Sequence, residues 1–120
     1  MNNLEENRML LLEDFNFWSN RLEYVKLMND LNDDVISIQE FHDKFCYMCR
    51  LDRDTVSQWD DLKHLEVKRF EGFSALMSKL FCDCDAFEPD PSLRDSFSIS
   101  GEELRNSAIS ILLEIETCYL

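Results

Sequence analysis

Hydrophobic residues recur along this chain at steps of three and four, which is the spacing of one face of an α-helix. The first stripe predicts a long helix over roughly residues 4–31, which Ser19-Asn20 can divide in its middle. The polar segment 29–34 that follows predicts a turn. The inward positions of this first helix are predicted to be Leu11, Phe15, Trp18, Leu22 and Val25.

Two capping boxes predict where later helices begin. Ser37 with Glu40, and Ser100 with Glu103, have the spacing in which a hydroxyl and a carboxylate satisfy each other's free backbone N–H groups. A second helix therefore starts at Ser37, and a last helix runs from Ser100 to the C-terminus. The predicted inward residues are Ile38, Phe41, Phe45, Met48 and Cys49 in the second helix and Leu104, Ala108, Ile111, Leu112, Ile115 and Tyr119 in the last.

A third helix is predicted over roughly residues 60–82, after a segment at 51–60 that lacks an apolar period and should turn the chain. Pro89 and Pro91 cannot continue a helix, so 83–98 is predicted to be a loop. The inward residues of the third helix are predicted to be Leu62, Leu65, Phe70, Phe73, Met77, Leu80 and Phe81. With two Gly, two Pro and no strand-like alternation, the chain is expected to form one all-α domain over 1–120, an antiparallel four-helix bundle with a further N-terminal helix if the first one breaks.

The balance of acidic and basic residues indicates which kinds of partner the chain can bind. The chain has 12 basic and 25 acidic residues among 120, a net charge of −13. Such a surface repels nucleic acids and anionic membranes and attracts a basic protein surface. The N-terminus has no basic leader pattern, and no apolar run reaches the ~18 residues of a membrane span, so a cytoplasmic protein is expected. Five cysteines, an odd number, fit reduced thiols there.

Motifs of known enzymes are missing, and we expect no enzymatic activity and no cofactor. Glycines occur only at Gly72 and Gly101, so no glycine-rich phosphate loop is possible. His42 and Cys46 are four residues apart and could pair on one helix face. Both lie beside an ordinary amphipathic stripe, which favours a structural role.

The paired thiols leave a zinc module open as an alternative. A C-x-x-C and a C-x-C could together supply four thiolates with tetrahedral geometry. Cys49 falls on the predicted core face, and no glycine-bearing knuckle accompanies either pair, so buried structural thiols are favoured. The four cysteines of this alternative are Cys46, Cys49, Cys82 and Cys84.

The segment 83–95 is the stronger candidate site. It carries five carboxylates and one base; the carboxylates belong to Asp83, Asp85, Glu88, Asp90 and Asp95. A calcium loop does not fit, because Phe87 takes the place of an oxygen ligand and no turn glycine follows. The two prolines fix φ and lower the entropy lost on binding. A stiff row of carboxylates can imitate the spaced charges of a nucleic-acid backbone.

At this segment the sequence resembles the immunity proteins of the colicin D type and those of contact-dependent inhibition systems. The resemblance rests on Asp85-Ala86-Phe87-Glu88-Pro89-Asp90, on the spacing from there to the last helix, and on Ile38 and Phe41 in the second helix. It covers roughly 37–117, so 1–34 is interpreted as an N-terminal helical extension.

The resemblance implies a helical bundle without enzymatic activity that covers the active site of a basic nuclease toxin, typically a tRNase. It further implies that Asp85 and Asp90 engage the catalytic cations of the toxin, and that Glu88 matches the glutamate of the family. Asp83 and Asp95 are added from charge and proximity. The alternative is an acidic helical adaptor or chaperone for a basic partner that is not a nuclease.

Overall fold

Four α-helices make up most of the chain in a computed structural model that describes residues 16–54 and 67–120, with the backbone only at 67–70. The helices are α1 (Arg21–Asn32), α2 (Ile38–Asp54), α3 (Val67–Ala86) and α4 (Gly101–Cys118), with a short 3-10 turn at Pro91–Leu93. Residues 16–19 are also helical and are separated from α1 by a turn at Asn20. The predicted all-α bundle and the break at Ser19-Asn20 are confirmed. Within the described ranges, no helix combines the length and apolarity needed to cross a membrane.

Contacts between helix ends show that neighbouring helices run antiparallel. The end of α1 meets the start of α4, where Arg105 donates to the carbonyl of Asn32 at 3.2 Å. The start of α2 meets the end of α3, where Nε2 of His42 lies 3.1 Å from the carbonyl oxygen of Cys84. Asp83 near the end of α3 accepts from Ser107 near the start of α4. The short α1–α2 connection completes an up-down-up-down order.

The core lies between the four helices and is rich in aromatic rings. Tyr24 of α1 packs edge-on against Phe45 of α2, with ring centroids 5.7 Å apart, and Trp18 packs edge-on against Phe73 of α3 at 5.9 Å. Such arrangements are favourable beyond the area they bury. The fully or nearly fully buried residues include Leu27, Met28, Leu31, Phe41, Cys49, Met77, Leu80, Leu104, Ala108, Ile111, Leu112 and Ile115.

Helix starts follow the predicted caps, one completely and one in part. The Ser100 hydroxyl accepts from the Glu103 N–H at 3.1 Å, and the Glu103 carboxylate accepts from the Ser100 N–H at 3.2 Å, so this capping box is confirmed. Ser37 also accepts from the Glu40 N–H, at 3.1 Å. The Glu40 carboxylate, however, contacts the Ser37 hydroxyl at 3.4 Å instead of its backbone N–H.

Several predicted boundaries are wrong. Residues 51–54 were expected to turn but continue α2, and α1 continues through 29–32, so the turn occupies only 33–37. Leu22, predicted to face inward, is 64 % exposed because the turn at Asn20 changes the phase of the helix; Tyr24 is buried in its place. The helix start expected near 60 lies outside the described residues. The same holds for the side chains of five predicted inward residues, Leu11, Phe15, Leu62, Leu65 and Phe70.

A buried polar cluster joins the segment before α1 to the end of α2. The Asp52 carboxylate accepts from the Tyr24 hydroxyl at 2.5 Å and from the Asn20 side-chain amide at 2.6 Å. The Asn16 amide donates to the Asp52 backbone carbonyl at 2.8 Å. Asp52 is only 5 % exposed. Burial raises the pKa of this carboxyl, and the hydrogen bonds from Tyr24 and Asn20 oppose that rise.

Candidate functional site: the acidic loop between α3 and α4

The candidate site is the segment 83–98, at the end of the bundle where α3 ends and α4 begins. Its base is closed by backbone hydrogen bonds: the Glu88 N–H donates to the Ile99 carbonyl at 3.1 Å, and the Ile99 N–H donates to the Ala86 carbonyl at 2.8 Å. Phe87 and Ile99 thereby form a parallel bridge, and both side chains pack against the core. The two ends of the loop are therefore fixed to the bundle. We call residues 87–99 the acidic loop.

Two carboxylates of the candidate set lie on α3 and not in the loop. The helix was predicted to end near Cys82 but continues to Ala86, because Cys84 is 1 % exposed and extends the apolar face one turn beyond Leu80. Asp83 and Asp85 therefore occupy its last turns. Pro89 then ends the helix by restricting the residue before it.

Arg94 is the only basic residue of this segment, and its guanidinium donates hydrogen bonds within the segment. Nε of Arg94 donates to the Glu88 carbonyl at 2.8 Å, and Nη2 donates to the Pro89 carbonyl, more weakly, at 3.4 Å. Arg94 is half-buried. The guanidinium thus fixes the first half of the loop to the second half and forms no ion pair with a carboxylate of the described residues.

Asp90 and Asp95 each hold a turn of the acidic loop. Oδ1 of Asp90 accepts from the Ser92 N–H at 2.9 Å and from the Ser92 hydroxyl at 2.8 Å, which caps the 3-10 turn. Oδ1 of Asp95 accepts from the Phe97 N–H at 2.8 Å and from the Ser98 hydroxyl at 3.1 Å. These hydrogen bonds lower the pKa of both carboxyls, so both are ionised at neutral pH. In each carboxylate these hydrogen bonds are accepted by Oδ1 and none of them by Oδ2.

The other three carboxylates differ in how far they are already engaged. Asp83 is half-buried and accepts from the Ser107 hydroxyl across the α3–α4 contact. Glu88 is half-buried and accepts from the Asp90 N–H at 3.2 Å. Asp85 is exposed and has no hydrogen bond or ion pair with any described residue. It lies on the last turn of α3, where the helix dipole adds negative potential and the turn itself has no basic residue.

The thiols are not assembled into a site. Cys46, Cys49 and Cys84 are buried, whereas Cys82 is exposed. Burial raises the pKa of Cys46 and Cys84, and raises that of Cys49 to about 12, so these three stay protonated at neutral pH. Among the residues described, no group of three or more side chains could hold a metal ion. The geometry gives no support to the zinc alternative.

His42 does not activate Cys46. Its Nδ1 lies 2.9 Å from a carboxylate oxygen of Asp43, and its Nε2 lies 3.1 Å from the Cys84 carbonyl oxygen. Its ring is 5.3 Å from that of Phe87, between centroids. Both ring nitrogens are therefore engaged, Nδ1 within α2 and Nε2 across to the end of α3, while the ring itself packs against Phe87 at the base of the acidic loop.

Two exposed apolar residues of the acidic loop were missed by sequence reasoning. Leu93 ends the 3-10 turn and is 67 % exposed, and Phe97 lies in the next turn and is 86 % exposed. The sequence did contain a signal for their exposure. Each is an isolated apolar residue with polar neighbours on both sides, and neither belongs to the apolar stripe of a helix. Large apolar side chains on a fixed loop are typical anchors of protein interfaces.

Fold and site together define a class: a small acidic helical protein that presents a rigid, carboxylate-rich loop at one end of the bundle. A family model described as bacterial self-protective colicin-like immunity matches residues 20–115. The chain therefore belongs to the colicin-like immunity family, whose members are inhibitors that bind a toxin. The match begins at Asn20, the N-cap of α1, and extends through α1, α2, α3 and the loop to Ile115, three residues before the end of α4. Neither the curated proteins nor the solved structures gave a significant match.

Proposed function

We propose that this protein neutralises a basic nuclease toxin, a tRNase as in the colicin D type, by covering its active site with the acidic loop and the end of α3. The observation that carries the proposal is that three carboxylates of this segment are exposed and not neutralised by an ion pair with its only basic residue. Asp85, Asp90 and Asp95 are exposed on a segment whose only base is used internally. A nuclease binds phosphates with cationic side chains, and a fixed set of carboxylates presents those cations with the same kind of partner.

Electrostatics would govern both the encounter and the docked state. Opposite net charges steer association, and rates reach about 10⁸–10⁹ M⁻¹s⁻¹ at low salt. Speed is needed, because the toxin must be neutralised before it meets RNA. In the docked state, carboxylates facing Lys, Arg or His in a water-poor site form short, charge-assisted hydrogen bonds. The toxin would meet its inhibitor in the cytoplasm of the producing cell, as in bacteriocin or contact-dependent inhibition systems.

The five candidate carboxylates would contribute differently. Asp85 makes no internal hydrogen bond and would pair directly with a toxin cation. Asp90 and Asp95 would offer Oδ2 while Oδ1 holds a turn. Glu88 and Asp83, each already accepting a hydrogen bond, would act chiefly by fixing the loop and by adding negative potential.

The test is co-expression with the toxin domain encoded by the adjacent reading frame. The unaltered protein should rescue growth, and the double variant Asp85→Lys/Asp90→Lys should not, because it places cations against cations. Its matched control is Glu114→Lys/Glu116→Lys, which makes the same change in net charge at exposed positions of α4. Circular dichroism verifies that both variants fold.

Three outcomes would change the proposal. Rescue by the Asp85→Lys/Asp90→Lys variant would keep toxin inhibition and move the binding surface elsewhere. Equal loss of rescue in both double variants would assign the effect to net charge and not to the loop. A lack of rescue by the unaltered protein would count against the nuclease partner and favour the acidic adaptor.

A further inference from the structure

The acidic loop exposes apolar surface in addition to charge. Phe97 is 86 % exposed and Leu93 is 67 % exposed, whereas Phe87 and Ile99 at the base of the same loop pack against the core. Burying a side chain of either type removes a large apolar surface from water, which is favourable for binding. Within the described residues most of the surface of these two side chains remains exposed and is available to a partner.

The backbone that carries them is held by hydrogen bonds on both sides. The Leu93 N–H donates to the Asp90 carbonyl at 3.1 Å, and the Phe97 N–H donates to the Asp95 carboxylate at 2.8 Å. The Ser98 N–H donates to the Asp95 carbonyl at 3.3 Å. Because these turns are formed in the free protein, binding orders little more than the two side chains, and the entropy lost on association is small.

The neighbouring charges restrict what can accept these side chains. Asp90 and Asp95 are exposed and ionised, and each holds its turn through Oδ1. Both charges would be repelled by an anionic membrane surface, as would the net charge of −13. The complementary surface is therefore on a protein and has an apolar recess with cationic side chains at its rim.

We infer that Phe97 and Leu93 are the apolar anchors of the toxin complex, and that they insert into a recess beside the catalytic cations of the toxin. The inference rests on the proposed function and adds the chemistry of the contact. Anchors in the centre of an interface exclude water, and the exclusion of water strengthens the surrounding ion pairs of Asp90 and Asp95. Charge then determines how fast the complex forms, and the anchors determine how long it lasts.

The experiment measures binding of the purified toxin domain from the adjacent reading frame to surface-attached protein, at several salt concentrations. Phe97→Ala should weaken binding about 30-fold, mostly through faster dissociation, and Leu93→Ala should weaken it about tenfold. The salt dependence of association should be unchanged in both. Matched controls are Tyr47→Ala and Leu113→Ala, exposed residues of similar size on α2 and α4, which should stay within about twofold of the unaltered protein.

The outcomes separate this inference from the proposed function. If the unaltered protein binds the toxin and Phe97→Ala behaves like Tyr47→Ala, the anchors are wrong while toxin binding stands. If the loss in Phe97→Ala comes from slower, more salt-dependent association, the side chain acts on steering and the anchor role is wrong. If the unaltered protein does not bind, both proposals fail. Thermal unfolding of each variant verifies that the fold is unchanged, as expected for exposed positions.

Discussion

At the scale of single residues, the most unusual group is the buried carboxylate of Asp52. A charged side chain that is 5 % exposed is retained only when its oxygens are hydrogen-bonded. Here Tyr24 and Asn20 supply the donors, and Asn16 holds the backbone of the same residue. The cluster fixes the segment before α1 against the end of α2. The sequence predicted that residues 51–60 turn the chain because the segment lacks an apolar period, and Asp52 is a buried polar residue within it.

We expect Tyr24→Phe to destabilise the protein by about 1.5–3 kcal/mol at neutral pH, because it leaves a buried carboxylate oxygen without its donor. The folded-state pKa of Asp52 is raised above the ordinary value near 3.9. Stability from this group is therefore greatest below the unfolded pKa and is lost as the pH rises through the folded pKa. Removing the Tyr24 donor raises that pKa further, so the cost of the substitution should shrink near pH 4. Urea unfolding of both proteins at the two pH values measures it.

Tyr47→Phe is the control for that substitution, because Tyr47 is exposed on α2 and has no described hydrogen bond. It should change the free energy of unfolding by less than about 0.5 kcal/mol at either pH. An equal cost of Tyr24→Phe at both pH values would mean that the hydroxyl matters for packing and not for the charge of Asp52.

At the scale of elements, Arg94 connects the two halves of the acidic loop through its hydrogen bonds to the Glu88 and Pro89 carbonyls. We expect Arg94→Gln to leave the free energy of unfolding within about 0.5 kcal/mol and to weaken toxin binding about tenfold. The variant makes the loop more negative, so simple electrostatics predicts the opposite change. The loss would come from the contacts to the Glu88 and Pro89 carbonyls that pre-form the loop. Affinity measurements and hydrogen exchange at the Ile99 amide test this.

The exposed Arg50 of α2 provides the charge-matched control Arg50→Gln, which should bind the toxin as the unaltered protein does or slightly more tightly. Tighter binding of Arg94→Gln would show that the loop needs no internal support and that negative charge alone determines its affinity.

Local signals in the sequence were sufficient where one short motif determines the structure. The Ser100–Glu103 box predicted the start of α4 because both of its hydrogen bonds are made within four residues. The end of α3 was predicted too early because Cys84 counts as a core residue only once its contacts with α2 are known. The inward face of α1 was predicted from one uninterrupted period, and the turn at Asn20 shifted it away from Leu22.

In the candidate site, too, some features follow from local sequence and others only from contacts between distant residues. Its carboxylates and its stiffness are evident from composition and from the two prolines. The internal role of Arg94, the placement of Asp85 on a helix end and the exposure of Phe97 are not, because each depends on how residues far apart in the chain meet. Sequence alone therefore pointed to this segment as the candidate, and the three-dimensional arrangement was needed to describe what each of its residues contacts.

At the scale of the whole molecule, the net charge of −13 has opposite effects on stability and on binding. Salt screens repulsion among the carboxylates of the free protein and also screens attraction to a basic partner. Raising ionic strength should therefore stabilise the free protein against urea and slow toxin association, from about 10⁸ M⁻¹s⁻¹ toward the 10⁵–10⁶ M⁻¹s⁻¹ typical of uncharged pairs. Unfolding and stopped-flow association over one salt series measure both. Association that does not respond to salt would contradict the electrostatic mechanism.

The bridge between Phe87 and Ile99 has a consequence for how such a protein can diversify. Because the two chain ends of the loop are neighbours, a stretch of different length or composition can replace the intervening residues without displacing α3 or α4. Under the proposed function, a lineage that confronts a new toxin would change its recognition within these intervening residues. Mutations there do not alter the aromatic core, so under that proposal foldability and target choice would be encoded by separate stretches of the gene.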